Sequence, residues 1–295
     1  MKKIIAIILA LVLLASLAFA EPVEMTPATL FRIGNMYYNG DQVEQNYEEA
    51  VKYFQKAAEK GHLQAINRMG VCYDNGLGVT QNQKKAVEYY TLAAEHGYAA
   101  SQYNLGLSYY FGEGVKQSYE DALKWFGLAG EQDHAKALDY VGYIYLYGEG
   151  VEVNEEEAFK YFLRSAELGY DFAQYDVGWS YYEGIGVERN YDEALNWLKL
   201  SADQGCLNAQ YALGRYYSDG FALDSDYAEA FQWFLLAAEQ GDVESENIVG
   251  FMYFNGYGVD KDLNEAEKWL ALAVEHGNEI AAERLEEVRA ELAAQ

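Results

Sequence analysis

One phrase of nine residues returns through this 295-residue chain at a fixed interval. It reads YFQKAAEKG at 53–61, YYTLAAEHG at 89–97, YFLRSAELG at 161–169, WLKLSADQG at 197–205, WFLLAAEQG at 233–241 and WLALAVEHG at 269–277. The slot between the second and third holds WFGLAGEQD, with Asp133 in place of the closing glycine. Successive copies lie 36 residues apart, without insertion or deletion. A strict period of this length marks a stack of like units, none of which can bury its apolar face alone.

Each unit reads as two helices. Between Gly205 and Gly241 the first, helix A, is expected from about Asn208 to Asp219, and the second, helix B, from about Tyr227 to Gln240. Ala230, Trp233, Phe234, Ala237 and Ala238 form an apolar stripe at helical spacing, and no strand-like alternation competes with it. The residue before each helix B is Asn46, Asn82, Ser118, Asn154, Asn190, Asp226 or Asp262, all side chains that cap free N–H groups. Three residues later come Glu49, Lys85, Asp121, Glu157, Glu193, Glu229 and Glu265, six acids in seven, which suit a capping box and the helix dipole.

Two glycine columns are unbroken. Gly40, Gly76, Gly112, Gly148, Gly184, Gly220 and Gly256 are expected to end each helix A. Gly34, Gly70, Gly106, Gly142, Gly178, Gly214 and Gly250 fall in its middle, where each costs about 1 kcal/mol against alanine. A common reason is close backbone approach of helix B, with Ala50, Ala86, Ala122, Ala158, Ala194, Ala230 and Ala266 as the matching small surface. Tyr73, Tyr109, Tyr145, Tyr181, Tyr217 and Tyr253, with Trp125, Trp197, Trp233 and Trp269, then fill the space between units.

The pattern A-x-x-x-L-G-x-x-Y-x-x-G-x-G-V followed by A-x-x-W/Y-F-x-x-A-A-E-x-G, carried well by Ala173–Val187 and Ala194–Gly205, resembles the Sel-1-like repeat family, relatives of tetratricopeptide repeats. The resemblance implies an all-α fold: a right-handed α-solenoid superhelix of stacked antiparallel helix pairs. Seven copies cover 28–277, after a short segment at 21–27, and the polar stretch 278–295 reads as a C-terminal capping helix. Asp133, Ala222 and the irregular first loop Gly40-Asp41-Gln42 depart from the pattern.

Residues 1–20, MKKIIAIILALVLLASLAFA, have the charged start, apolar run and small-x-small end of a secretory signal peptide, so export to a periplasm or the exterior is expected. No later stretch is apolar enough to insert in a membrane after cleavage. The formal net charge of −26 argues against nucleic acid and anionic lipid and favours a cationic partner. Cys72 and Cys206 lie almost four repeats apart and are expected to stay unpaired.

Little of the sequence points to chemistry. His62 and His134 share one repeat position two periods apart, and His96 and His276 sit at helix C-termini, where positive charge is welcome. No metalloprotease, nucleophile-elbow or phosphate-loop motif occurs. Asp224-Ser225-Asp226 opens like a calcium loop but lacks its turn glycine, and reads as a helix entry. Family variants linked to enzyme activity resemble cysteine-rich proteins, whose regular cysteine pairs are missing here. No catalytic residue, metal or cofactor is therefore assigned.

The remaining candidate is an inner face of helices A, by analogy with the parent fold. Its variable positions hold Tyr103, Leu107, Tyr110, Tyr143, Phe172, Tyr175, Trp179, Tyr182, Tyr211, Arg215, Phe251 and Phe254. Aromatics and arginine are what binding surfaces favour. The expected function is a noncatalytic scaffold whose aromatic groove holds a protein or peptide segment, a basic one by charge. Glycan or cell-wall polymer binding is the alternative, with hydrolysis a more distant third.

Overall fold

The seven capping residues do what their chemistry suggests. In the computed structural model, which describes residues 24–219 and 225–294, Asn46, Asn82, Ser118, Asn154, Asn190, Asp226 and Asp262 each accept a backbone N–H from the first turn of a helix B. The expected leader at 1–20, and Pro22, Gly220, Ala222 and Asp224, lie outside the described residues.

Fifteen helices account for nearly all of the described chain, and no strand occurs among the described residues. They are α1 (Pro27–Asn39), α2 (Tyr47–Ala58), α3 (Leu63–Asn75), α4 (Gln83–Glu95), α5 (Ala99–Phe111), α6 (Tyr119–Gly130), α7 (Ala135–Tyr147), α8 (Glu155–Glu167), α9 (Asp171–Glu183), α10 (Tyr191–Asp203), α11 (Leu207–Asp219), α12 (Tyr227–Glu239), α13 (Val243–Asn255), α14 (Leu263–Glu275) and α15 (Glu279–Ala293). Odd-numbered helices up to α13 are helix A and even-numbered ones helix B. The chain divides into two compact units, one up to Ala137 and one from Leu138. Within each, sequence neighbours pair, as in α4 with α5 or α10 with α11.

The capping box is only half made. The backbone N–H of each capping residue does not turn to the acid three residues on. It donates instead to the carbonyl of Tyr37, Tyr73, Tyr109, Tyr145, Tyr181, Tyr217 or Tyr253 in the preceding helix A, at 2.7–3.0 Å. Seven identical bonds thus tie the start of helix B to the last turn of helix A. The acids are left to favour the helix dipole, and Glu49, Glu157 and Glu265 also pair with Lys52, Lys160 and Lys268.

The mid-helix glycines correct a second expectation. A Cβ on Gly34, Gly106, Gly142 or Gly214 would lie 2.5–2.6 Å from the Phe54, Phe126, Phe162 or Phe234 ring, and Gly70 meets the Tyr90 ring in the same way. The missing side chain therefore houses a large group from helix B, not the alanine column. Where that group is Leu198 or Leu270, a Cβ on Gly178 or Gly250 would also come within 3.0 or 3.1 Å of the leucine's backbone nitrogen, so there the main chains do close up. The alanines of the proposed column are buried all the same, at 0–1% exposure. A further column of small residues on helix B, such as Ala57, clusters with Ala65 on the next helix A.

The second glycine of the interhelical loop has a separate purpose. A Cβ on Gly78 would run into the Tyr47 carbonyl, and Gly114, Gly186 and Gly258 face Gln83, Glu155 and Tyr227 alike. Each of these four loops rests on the first residue of helix B one repeat earlier. In the first described repeat the loop carries Gln42 at φ 66°. Asp133 likewise takes φ 59° where the other copies close with glycine, a conformation that Asp tolerates better than most residues.

Cys72 and Cys206 are unpaired and buried, and burial pushes the Cys72 thiol up to about 11. After α14 the chain adds α15, whose Ala281, Leu285 and Val288 pack with Leu263, Ala266, Leu270 and Ala273. No described helix is long and apolar enough to cross a membrane.

Two alanine substitutions separate local strain from packing between repeats. Gly61 and Gly78 have φ of 78° and 70°, but nothing lies within 4 Å of a Cβ at Gly61. Gly61→Ala is expected to cost about 1–2 kcal/mol, and Gly78→Ala at least about 1 kcal/mol more from overpacking. Urea unfolding of both variants checks the difference.

Candidate functional site

In the second unit, α9, α10 and α11 bring part of the predicted aromatic face together. Positions 175, 179 and 182 rise along one side of α9 because they are four and three residues apart. Their rings stack in sequence: Tyr175 to Trp179 at 6.4 Å and 22°, then Trp179 to Tyr182 at 5.5 Å and 23°. Tyr182 meets Tyr191 of α10 edge-on at 5.5 Å. Tyr211 and Arg215 come across from α11, one turn apart. Together with Leu198, Ala212, Glu183, Arg189 and Asp219 these residues line a cavity of about 390 Å³. Leu198 is buried, whereas Trp179 remains 37% exposed.

The charged lining is mostly committed internally. Arg215 Nη2 lies 3.2 Å from Asp219 Oδ2, and Tyr211 with Asp219 raises the guanidinium further above its usual range. Arg189 Nη2 donates to the Glu183 carbonyl at 3.1 Å. The Glu183 carboxylate, at the exposed end of α9, makes no ion pair among the described residues. Burial raises the Tyr182 hydroxyl, and Asp219 adds to the effect, so the phenol stays neutral.

The other predicted positions do not join this cavity. Tyr143 lies 5.9 Å from Tyr147 and edge-on to Phe162, and its hydroxyl donates to Asp176 Oδ2 at 2.7 Å. Phe172 is 45% exposed, its ring near Tyr170. Phe251 lies under the Arg284 guanidinium at 4.5 Å, and Phe254 under the Lys261 ammonium. In the first unit Tyr103 stacks on His134 at 4.6 Å, and Tyr110 packs edge-on to Tyr119. Leu107 lines a separate cavity of about 290 Å³ with Asp74, Tyr90, Asn104, Ser108, Phe111 and Glu113. Burial, then Glu113, raises the Asp74 carboxyl there.

The histidines take structural positions. His62 and His134 cap α3 and α7: Nδ1 of each accepts the N–H of Ala65 or Ala137 at 3.3 Å. Burial lowers both imidazoles, which suits an acceptor that must stay neutral. His96 Nδ1 bonds the Leu92 carbonyl at a helix C-terminus. His276 does more than greet a dipole. Its Nδ1 is 2.9 Å from both carboxylate oxygens of Glu246, which is completely buried. Among the described residues no group of three or more His, Cys, Asp or Glu side chains could hold a metal ion.

Sequence reading missed the lining residues Glu183, Arg189, Tyr191 and Asp219. It also missed two sets of paired positions. One joins residues 30 apart: Gln102 with Gln132, Gln174 with Gln204 and Gln210 with Gln240, each at 2.7 Å, and then Glu246 with His276. The signal was available, because both members change type together from copy to copy. The other set joins residues 37 apart and contains two carboxyls, the buried Asp139 and the half-buried Asp176.

Stacked helix pairs, a constant buried core and a variable aromatic face define an α-solenoid repeat protein. The chain belongs to the Sel1 repeat family, whose model matches residues 27–62, 63–98, 99–134, 135–170, 171–206, 207–242 and 243–278. Among solved structures it is similar to a protective antigen of uropathogenic Escherichia coli strains displaying an SLR fold, at 32% identity and TM-score 0.77. That match covers 90% of this chain and 57% of the antigen chain, so the present sequence spans little more than half of that relative. It is also similar to a Sel1 repeat protein from Oxalobacter formigenes, at 30% identity and TM-score 0.76, over 89% of this chain and 76% of that one. No curated protein sequence matches it significantly.

The Glu246–His276 pair gives a direct test. His276→Ala leaves a buried carboxylate without its partner and is expected to cost about 1–3 kcal/mol. The double change Glu246→Gln with His276→Gln copies the glutamine pairs of other repeats and should lie within about 1 kcal/mol of the parent. Chemical denaturation of the three proteins measures both.

Proposed function

We propose that this Sel1 repeat protein is an exported, noncatalytic scaffold that binds a protein or peptide segment through the aromatic face of α9 and α11. The observation that carries the proposal is the 390 Å³ cavity where Tyr175, Trp179, Tyr182, Tyr191 and Tyr211 converge beside Arg215 and Asp219. Rigid aromatic side chains give large contact area at small entropic cost, and with arginine they dominate the energetics of many interfaces. The glycine and alanine columns recur through the repeats while these positions vary, which supports reading them as a ligand surface.

The segment bound is a basic one. The chain carries 47 acidic residues against 21 lysines and arginines, so a cationic partner is drawn in over a distance. At the cavity Glu183 offers an uncommitted carboxylate, and indole and phenol faces accept a lysine or arginine head. Export follows from the leader at 1–20. A sugar ring could stack on Trp179, which makes oligosaccharide binding the competing outcome.

Labelled peptides containing lysine and arginine, matched neutral peptides and a panel of oligosaccharides, titrated by fluorescence anisotropy or competition, decide between them. Basic peptides are expected to bind, less tightly as salt rises. Trp179→Ala should weaken binding by about tenfold or more with little change in the unfolding midpoint. Tyr182 packs on Tyr191 and Tyr216, so its alanine variant is expected to lose stability as well. Saturable oligosaccharide binding without peptide binding would overturn the proposal.

A further inference from the structure

Helix A positions 37 residues apart meet across consecutive repeats, and the chain builds this contact in three ways. In the first unit Asn104 Nδ2 donates to Asn67 Oδ1 at 3.0 Å. Near the C-terminus Arg284 Nη1 donates to Asn247 Oδ1 at 2.8 Å. At the same two positions α7 and α9 carry Asp139 and Asp176. An amide or guanidinium brings its own hydrogen to such a contact. Two carboxylates bring none.

The surroundings supply no substitute. Asp139 is 3% exposed, and its Oδ1 has no hydrogen-bond partner. Asp176 already accepts the Tyr143 hydroxyl. Neither carboxyl forms an ion pair among the described residues. The titratable groups that face the pair are Tyr140 and Tyr143 on α7, and Asp171 and Tyr175 on α9. No charged group of α8, α10 or α11 acts on either carboxyl. The only further charge is thus negative, and two unscreened carboxylates in contact cannot both stay ionised at low cost.

We propose that Asp139 and Asp176 form a proton-operated clasp between α7 and α9, closed when the pair shares one proton and strained open when that proton is lost. In the closed state the Asp139 carboxyl O–H donates to the Asp176 carboxylate, which also holds the Tyr143 hydroxyl. Opening releases the proton to solvent and leaves two negative charges facing each other, one on the buried Asp139 and one on the half-buried Asp176. The clasp is independent of the binding proposal, since it rests on repeat geometry alone.

Its pH dependence runs opposite to that of an ordinary salt-bridged carboxylate. Burial lifts both carboxyls far above the usual range, and for Asp139 the nearby Asp176 and Asp171 add to the lift. The folded state therefore binds a proton that the unfolded chain releases near pH 4. The clasp's contribution is complete below that pH and is lost as pH rises through the pair's raised value.

Thermal unfolding of the full chain between about pH 5 and pH 9 tests this, on the parent, Asp139→Asn, Asp139→Asn with Asp176→Asn, and the exposed control Glu152→Gln. The parent and control are expected to lose on the order of 5 °C more across the range than either clasp variant, because an asparagine at 139 donates without a proton. Infrared spectra of the parent near neutral pH should show a protonated-carboxyl band that vanishes in the double variant. Parallel pH profiles in all four proteins, or no such band in the parent, would overturn the proposal. The infrared arm decides even if a variant fails to fold.

Discussion

Everything in each repeat depends on the bare stretch of backbone in the middle of helix A. At Gly106 or Gly214 the missing side chain leaves room for a whole ring from helix B. That ring fixes the separation of the two helices, and the fixed separation lets the capping N–H reach the tyrosine carbonyl at hydrogen-bond distance. A methyl group at the glycine would displace the ring, and with it the start of helix B. The intrinsic penalty of a mid-helix glycine is about 1 kcal/mol, set against burial of an aromatic or leucine side chain, on the order of 2–3 kcal/mol. The favourable term is the larger, which accounts for seven glycines where alanine would make a better isolated helix.

Because the units are copies, each position has been tried in several chemistries on one scaffold. Buried polar pairs keep their geometry while their atoms change: glutamine with glutamine becomes glutamate with histidine, and asparagine with asparagine becomes aspartic acid with aspartate. In each case the partner supplies what the other lacks, since a buried polar group without a partner costs more than the pair contributes. The paired carboxyls Asp139 and Asp176 introduce a dependence on protons that the amide pairs do not have. Such substitutions change how a joint responds to its surroundings without changing where the joint is.

Much of the fold was legible in advance. Helix A from Asn208 and helix B from Tyr227 agree with α11 and α12 to within a residue, because caps and glycines are local signals. What failed was the assignment of partners. The mid-helix glycines were matched with alanines of the right size, but the occupant is the phenylalanine, tyrosine or leucine one turn further along. The capping acids were expected to reach back, but the tyrosine carbonyl lies nearer. Both errors concern which of two plausible neighbours fills a space, and helical period does not distinguish residues on the same face.

The aromatic face was legible as a list and not as a place. Tyr175, Trp179, Tyr182, Tyr211 and Arg215 share a cavity, while Tyr143 is drawn inward by Asp176 and Tyr103 by His134. By itself the sequence determined the period, the helix ends, the buried columns and the family, since these follow from spacing, caps and side-chain polarity along one chain. The tertiary structure alone decided which rings converge, which acid is left uncommitted and which carboxyls share a proton. Those depend on residues 30 to 37 positions apart meeting at distances that only packing sets.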